Sequence, residues 1–323
     1  MRSLLESHES GGAPSHATSE FFEALGLSPT SALVTVSDEN DRKLQVAINS
    51  FSVRHHAAEA LARLLLAVTT PRDATAPFST WAAIADGPTA LHAVATDLRA
   101  RLSADEHLIS RAFFMPGAEG SEQTRTVLQT AWVWVRRALF LLTDNDLTVN
   151  AADNKVKHGL AVSTRNDVRV DFIQAAELDE NGGLPLSALE DSTPIFDRPS
   201  LAYLARAYPP QAQGLEVSSL LIDPPRVLAE AWMMAVVHAA VFHVAAQQHF
   251  GDSEAKIAPC PALHLRPTPD DLLADRVHGY RGVLTTPLGD SVVPRDSGLF
   301  IGGAFIPITI DFDGVMSTTI VED

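Results

Sequence analysis

The sequence predicts an α+β protein, a helical, bundle-like N-terminal half followed by an antiparallel, β-rich half built around one buried helix. Three observations carry the prediction. Apolar residues recur at three- and four-residue spacing as far as His158, and beyond Gly159 the period shortens toward alternation. The third is Asp223-Pro224-Pro225, a sharp helix start that opens an apolar run through Gln248. The expected organisation is a mobile tail over 1–20, a helical region over 21–158 and a β-rich region over 159–323. The two regions can be separate or one continuous domain.

The tail is set apart by its Gly, Pro, Ser and His content and by the lack of the apolar run of a secretory signal. A short helix over Glu20–Leu25 and a short strand over Ala32–Val36 are expected next. From Ser37 to Thr70 runs the longest readable helix, capped by Ser37, with Asp38 and Glu39 at the positive end of its dipole. Leu44, Ile48, Phe51, Ala58, Ala62 and Leu65 share one face, which should be buried. His55 falls on that face. Glu59 and Arg63 follow at four-residue steps, so the pattern predicts a His55–Glu59–Arg63 ladder. Arg54 and His56 point to other faces and should be solvated or partner-facing.

Helices are also expected over 81–84 and 89–102, and from a capping box at Ser103-x-x-Glu106. A long helix opens at Ser121, with Val127, Ala131, Trp134, Ala138 and Leu141 inward. Leu147 to His158 forms the next one, which Gly159 stops. Leu160–Ser163 and Val168–Phe172 read as a hairpin, and the Gly- and Pro-rich 177–194 stretch as a linker. Leu201–Ala207 reads as a short helix, Leu215–Ile222 as a strand, and the apolar helix over about 224–248 as buried. Gly251 to Pro269 reads as loop, Asp270–Val277 as a short helix, and Gly302-Gly303 as a bulge or close backbone approach. Ala304–Phe312 and Val315–Val321 flank Asp313-Gly314, a strong hairpin signal.

The balance of 24 basic and 40 acidic residues, net -16, opposes a broad electrostatic grip on nucleic acid. A single cysteine, Cys260, excludes an intrachain disulfide and a cysteine-based zinc cluster and suits a reducing, cytoplasmic compartment. The most apolar stretch, Ala231–Ala246, is too short to read as a membrane span and carries His238 and His243. No P-loop, GxGxxG, HExxH, GxSxG or EF-hand loop is present.

Two constellations hold candidate chemistry. His55 and Glu59 have the types and spacing for a carboxylate orienting an imidazole, either for proton transfer or for a metal shared with another helix. Asn154 and His158, in Asp153-Asn154-Lys155-Val156-Lys157-His158, resemble the Asn and His of the HEPN family of helical nucleic-acid-cleaving or -binding domains. The resemblance covers one helix, and the family's arginine is replaced by Asp153. It implies RNA cleavage with His158 as the acid–base residue and Asn154 positioning a phosphate at a dimer interface. Against both enzyme readings stands a non-catalytic scaffold or interaction protein with a protein partner or a second copy, no cofactor and no metal. Composition and the missing signatures favour that third reading.

Overall fold

The computed structural model describes residues 39–70, 79–87, 90–105, 107–114, 122–144, 148–159, 162–166, 170–172, 193–196, 198–206, 215–251, 257–274, 277–283, 298–302 and 304–307. The fold class is α+β, as the periodicity predicts. The expected tail, the first helix and strand, the Ser37 cap, residues 177–192 of the linker and the Asp313-Gly314 turn with its second strand lie outside the described residues, whereas residues 193 and 194 of the linker and 304–307 of the hairpin are in strands.

Helix α1 (Glu39–Thr69) runs for 31 residues. Phe51, His55, Ala58, Ala62 and Leu65 are buried as the spacing requires, whereas Leu44 and Ile48 are only partly covered. Its end is closed by side chains. Thr69 and Thr70 donate to the Leu65 and Leu66 carbonyls (2.7 Å each), and Arg101 donates to the Thr69 carbonyl (3.0 Å). Helices α2 (Ser79–Asp86), α3 (Leu91–Ala104) and α4 (Leu108–Phe113) follow. The expected capping box at Ser103 does not start a helix, because Ser103 completes the last turn of α3; Asp105 accepts instead from the His107 N–H (2.9 Å) just before α4. Helix α5 (Glu122–Thr143) buries Ala131, Trp134, Ala138 and Leu141. Helix α6 (Val149–His158) ends on Gly159, whose φ of 62° and N–H contacts to the Lys155 and Val156 carbonyls form a left-handed cap.

The strands correct the local reading. β1 (Val162–Arg165) does not form a hairpin with β2 (Val170–Phe172): β2 pairs with β3 (Thr193–Phe196), and β1 pairs with β4 (Ser200–Arg206). The segment read as a helix over 201–207 is β4. Its buried apolar residues are Leu201 and Tyr203, two apart, which is the strand period, and seven residues are too few to separate that from 3.6. β5 (Leu215–Leu221), helix α7 (Pro224–Phe250), helix α8 (Pro269–Leu273), β6 (Val277–Val283), β7 (Gly298–Ile301) and β8 (Ala304–Pro307) complete the order. The main sheet runs β1-β4-β5-β6-β7-β8, with every neighbour antiparallel.

The expected helix over 270–277 is shorter because two elements share that stretch. A capping box at Thr268, reciprocal with Asp271, starts α8, and β6 begins at Val277. Gly279 lies on β6 where a Cβ would stand 2.5 Å from the Ser219 carbonyl oxygen, so only glycine allows that strand approach. Gly302 is neither bulge nor close approach: it turns β7 into β8 with φ 55°. One apolar core joins the two halves. Phe51, Leu98 and Trp134 from helices share it with Leu201, Tyr203, Leu220 and Phe300 from the sheet, and Met234, Val237 and Val241 of α7 belong to it as well.

Candidate functional site

His55 is fully buried, and the helix that meets it is α6, not the next turn of α1. Its Nδ1 lies 3.1 Å from Asp153 Oδ2, and its Nε2 lies 3.1 Å from Asn150 Oδ1. Asp153 is also fully buried, and Lys157, one turn further along, reaches the same carboxylate oxygen at 2.8 Å. The expected ladder therefore forms only in its outer half. Arg63 donates to Glu59 at 2.9 Å, while His55 turns to the carboxylate and amide that packing brings across from α6. A buried ring gains more from a partner inside the core than from a carboxylate that keeps nearly a quarter of its surface in water. Burial pushes the imidazole below its ordinary value, with Asp153 and Asn150 opposing. The 3.1 Å approach of Nδ1 to Asp153 does not align as a hydrogen bond, so the ring's one hydrogen bond to a side chain among the described residues is the one between Nε2 and Asn150.

Asn154 and His158 are on the other side of α6. His158 is five residues past Asp153, about 140° around a helix of 100° per residue, and both it and Asn154 are exposed. His55 and Glu59 are thus not joined to Asn154 and His158 in one site. Asp153, one residue before Asn154, is buried beside His55. Among the described residues, no group of three or more His, Cys, Asp and Glu side chains is arranged to hold a metal ion.

A comparison with known protein families, curated proteins and solved structures finds no match. The site must be judged on its own chemistry.

The densest charge in the core escaped the sequence reading. Glu230 of α7, 2% exposed, takes a two-point contact from Arg137 of α5, Nε at 3.1 Å and Nη2 at 3.2 Å. Arg54 stands 3.7 Å from the same carboxylate. Arg54 was expected to be solvated or partner-facing, and it is buried, because α1 packs against α6 through His55 and reaches Glu230 of α7 through Arg54. Burial pushes the Glu230 carboxyl up, but Arg137 and Arg54 outweigh it and hold it below its ordinary value. Burial pushes the Arg54 guanidinium down, Glu230 opposes, and Arg137 adds to the lowering.

These three groups stand at one side of a cavity of about 70 Å³ between the helices and the sheet. Arg198, Asp223 and Arg226 line it as well. Asp223 is contacted by Arg226 at 3.2 Å and by Arg198 at 3.4 Å, and all three keep a fifth to a third of their side-chain surface in water. His278 lines the same space, with Nε2 donating to the Leu273 carbonyl (3.0 Å) and burial lowering its pKa.

Helix α7 is also less buried than its composition suggests. It is long and apolar enough to cross a membrane by length and composition, and 56% of that stretch is buried inside the protein. Leu228, Trp232, Ala235, Ala239 and Phe242 are exposed, at steps of four, three, four and three residues. That is one continuous stripe on an α-helix. Trp232 is 64% exposed, and Phe242 touches the Trp81 ring of α2 at 5.3 Å between centroids yet remains 43% exposed. His238 and His243 flank the stripe. His243 Nδ1 donates to the Ala258 carbonyl at 2.7 Å, and His238 stacks on Phe242, in keeping with rim histidines.

Proposed function

We propose that the chain is a non-catalytic interaction protein, that its docking surface is the outward stripe of α7, and that the occupant is a second copy of the chain. One observation carries the reading: an uncharged apolar stripe left on the surface of a protein whose net charge is -16. From Leu228 to Phe242 it extends about 21 Å at 1.5 Å per residue. Its centre is the pair Ala235 and Ala239, one turn apart, with Trp232 bulky on one side and Phe242 on the other. Such a surface supplies both the protrusion and the saddle that receives it, which suits an isologous contact across a two-fold axis. A stable dimer needs roughly 800 Å² per partner, so the stripe would be the centre of the contact rather than all of it. The cytoplasm is the compartment we propose, in keeping with an exposed, unpaired Cys260.

Sedimentation velocity across a concentration range tests this. Dimer formation by the wild type, lost in Trp232→Glu and retained in the exposed control Gln248→Glu, supports the reading. A chain that stays monomeric at high concentration refutes it, and binding to neutral lipid vesicles abolished by Trp232→Glu would replace the second copy with a membrane surface.

The ribonuclease reading rests on the exposed Asn154 and His158 of the HEPN resemblance. Its test is incubation with tRNA and total RNA, where cleavage lost in His158→Ala would restore it. The metal-dependent reading through His55 and Glu59 draws no support from a geometry in which Arg63 holds Glu59 and α6 encloses His55.

A further inference from the structure

Between α3, α5, α8 and the β7–β8 turn lies an open groove of about 850 Å³, within the range of about 300–1,000 Å³ that takes small ligands. Helix α5 packs against both α3 and α8, so it forms the floor and the two shorter helices form the banks. Trp132 and Arg136 stand one turn apart on the floor, and both are exposed. Arg99 lies on the α3 bank and Asp270 on the α8 bank, exposed as well. The chain carries 40 acidic side chains, yet among the described residues neither Arg99 nor Arg136 has an ion pair or a side-chain hydrogen bond, and Asp270 is equally free. The groove thus presents guanidinium groups on α3 and α5 and a carboxylate on α8, with Leu139, Phe140 and Leu273 supplying apolar lining.

Each feature selects a part of a ligand. Guanidinium groups on two helices favour a doubly charged oxyanion, since their planar forks match phosphate and two of them can share it. Trp132, 36% exposed, offers a ring face on which a flat heterocycle can stack. A carboxylate only accepts, so Asp270 calls for hydroxyl donors on the body of the ligand. We propose that this groove binds a free nucleoside monophosphate, its phosphate on Arg99 and Arg136, its base on Trp132 and its ribose hydroxyls donating to Asp270. All four side chains reach solvent, so the ligand meets them without any opening of the core. No described lining residue belongs to α7, and binding needs neither the apolar stripe nor a second copy.

The test uses the full chain with adenosine monophosphate as the probe, at constant ionic strength against sodium chloride. Calorimetric titration should report saturable binding. Arg99→Gln, Arg136→Gln and Trp132→Ala should each weaken it at least about tenfold, the loss expected for one charge-assisted hydrogen bond or one stacked base. These side chains are exposed, so the variants should melt near the wild type. Asp270→Ala should weaken binding too. Adenosine and inorganic phosphate should each bind at least about tenfold more weakly than the probe, and Trp232→Glu, on the α7 stripe, should bind it as the wild type does. No binding beyond that of chloride overturns the proposal. So does adenosine or inorganic phosphate matching the nucleotide, which would leave part of the groove without a role. Tighter binding by Asp270→Ala would make that carboxylate a repellent and overturn the arrangement, and loss of binding in Trp232→Glu would move the ligand to α7. A single-stranded oligonucleotide with a terminal phosphate binding more tightly than the probe would overturn the free nucleotide in favour of a nucleic-acid end.

Discussion

Replacing Glu230 by alanine removes the one carboxylate among the described residues that contacts both Arg54 and Arg137, two residues that are each 8% exposed. The arginines would remain buried about 5.5 Å from the rings of Phe51 and Phe140, respectively, which attract a cation far less than a carboxylate does. Taking one partner from a buried pair costs about 3–5 kcal/mol, because an uncompensated charge is left behind. A large domain loses roughly 2 °C of melting temperature per kcal/mol, so Glu230→Ala should melt about 6–10 °C below the wild type. Differential scanning calorimetry with urea unfolding would measure it. Because the charges are out of solvent, 0.5 M salt should leave the difference nearly unchanged. A loss under about 1 kcal/mol, or one that salt erases, would mean the cluster is solvated and would refute the reasoning. Replacing Arg54, Arg137 and Glu230 together by methionine should recover much of the loss, since the carboxylate and both of its buried counter-charges leave together.

Glu59→Ala should cost no more than about 0.5 kcal/mol in the same melts, because its bond to Arg63 is a partly solvated i,i+4 pair; a loss above 2 kcal/mol would restore His55 as its partner. Asp153→Ala should cost about 1–3 kcal/mol, since it takes the buried carboxylate from beside the His55 ring and leaves a void against it. Acidification should weaken the fold. His55, His238 and His278 are all held below the ordinary histidine value by burial, so the folded state resists protonation that the unfolded chain accepts. Their contribution is complete above about pH 6.5 and is lost as pH falls toward the lower folded values, so urea midpoints should drop between about pH 7 and 5. A flat profile over that range would contradict the lowered values, and His238→Gln should flatten part of the slope without touching the cavity.

The helices were legible because their signals are local. The face of α5 around Trp134 and the Gly159 cap follow from spacing and from the left-handed backbone that glycine accepts. Asp223-Pro224 marks the start of α7 even though Asp223 places no side-chain cap on it and turns its carboxylate to Arg226. Strand partners were illegible, because β1 meets β4 across an intervening two-strand sheet, and nothing in Val162–Arg165 names that partner. His55 was correctly placed on a buried face, but its partner was sought one turn away. The interaction that decides its chemistry lies 95 residues on, at Asn150, and beside it at Asp153. Glu230 was hidden by its company: one acid in an apolar helix looks tolerated in water until Arg54 and Arg137 arrive from two other helices. Arg137, next to the inward-facing Ala138, and Glu230 inside the apolar run of α7 were the available signal. The outward stripe was missed because the apolar helix over about 224–248 was read for its hydrophobicity rather than for the direction each side chain takes.

The three charges at the cavity also bear on the order of folding. Arg137 and Glu230 are 93 residues apart, and Arg54 comes from a third helix; no local segment can assemble any two of them. Loop closure over such separations must precede the contact, and desolvating the charges is unfavourable until all three are in place. The cluster is therefore expected to close after the transition state. Contacts absent from the transition state leave the folding rate alone and set the unfolding rate. The group that makes the core hardest to pack is in this way the one that keeps it from opening: losing Glu230 should leave refolding near its wild-type rate and shorten the lifetime of the native state by roughly a hundredfold or more, the factor that about 3–5 kcal/mol becomes when it falls wholly on unfolding.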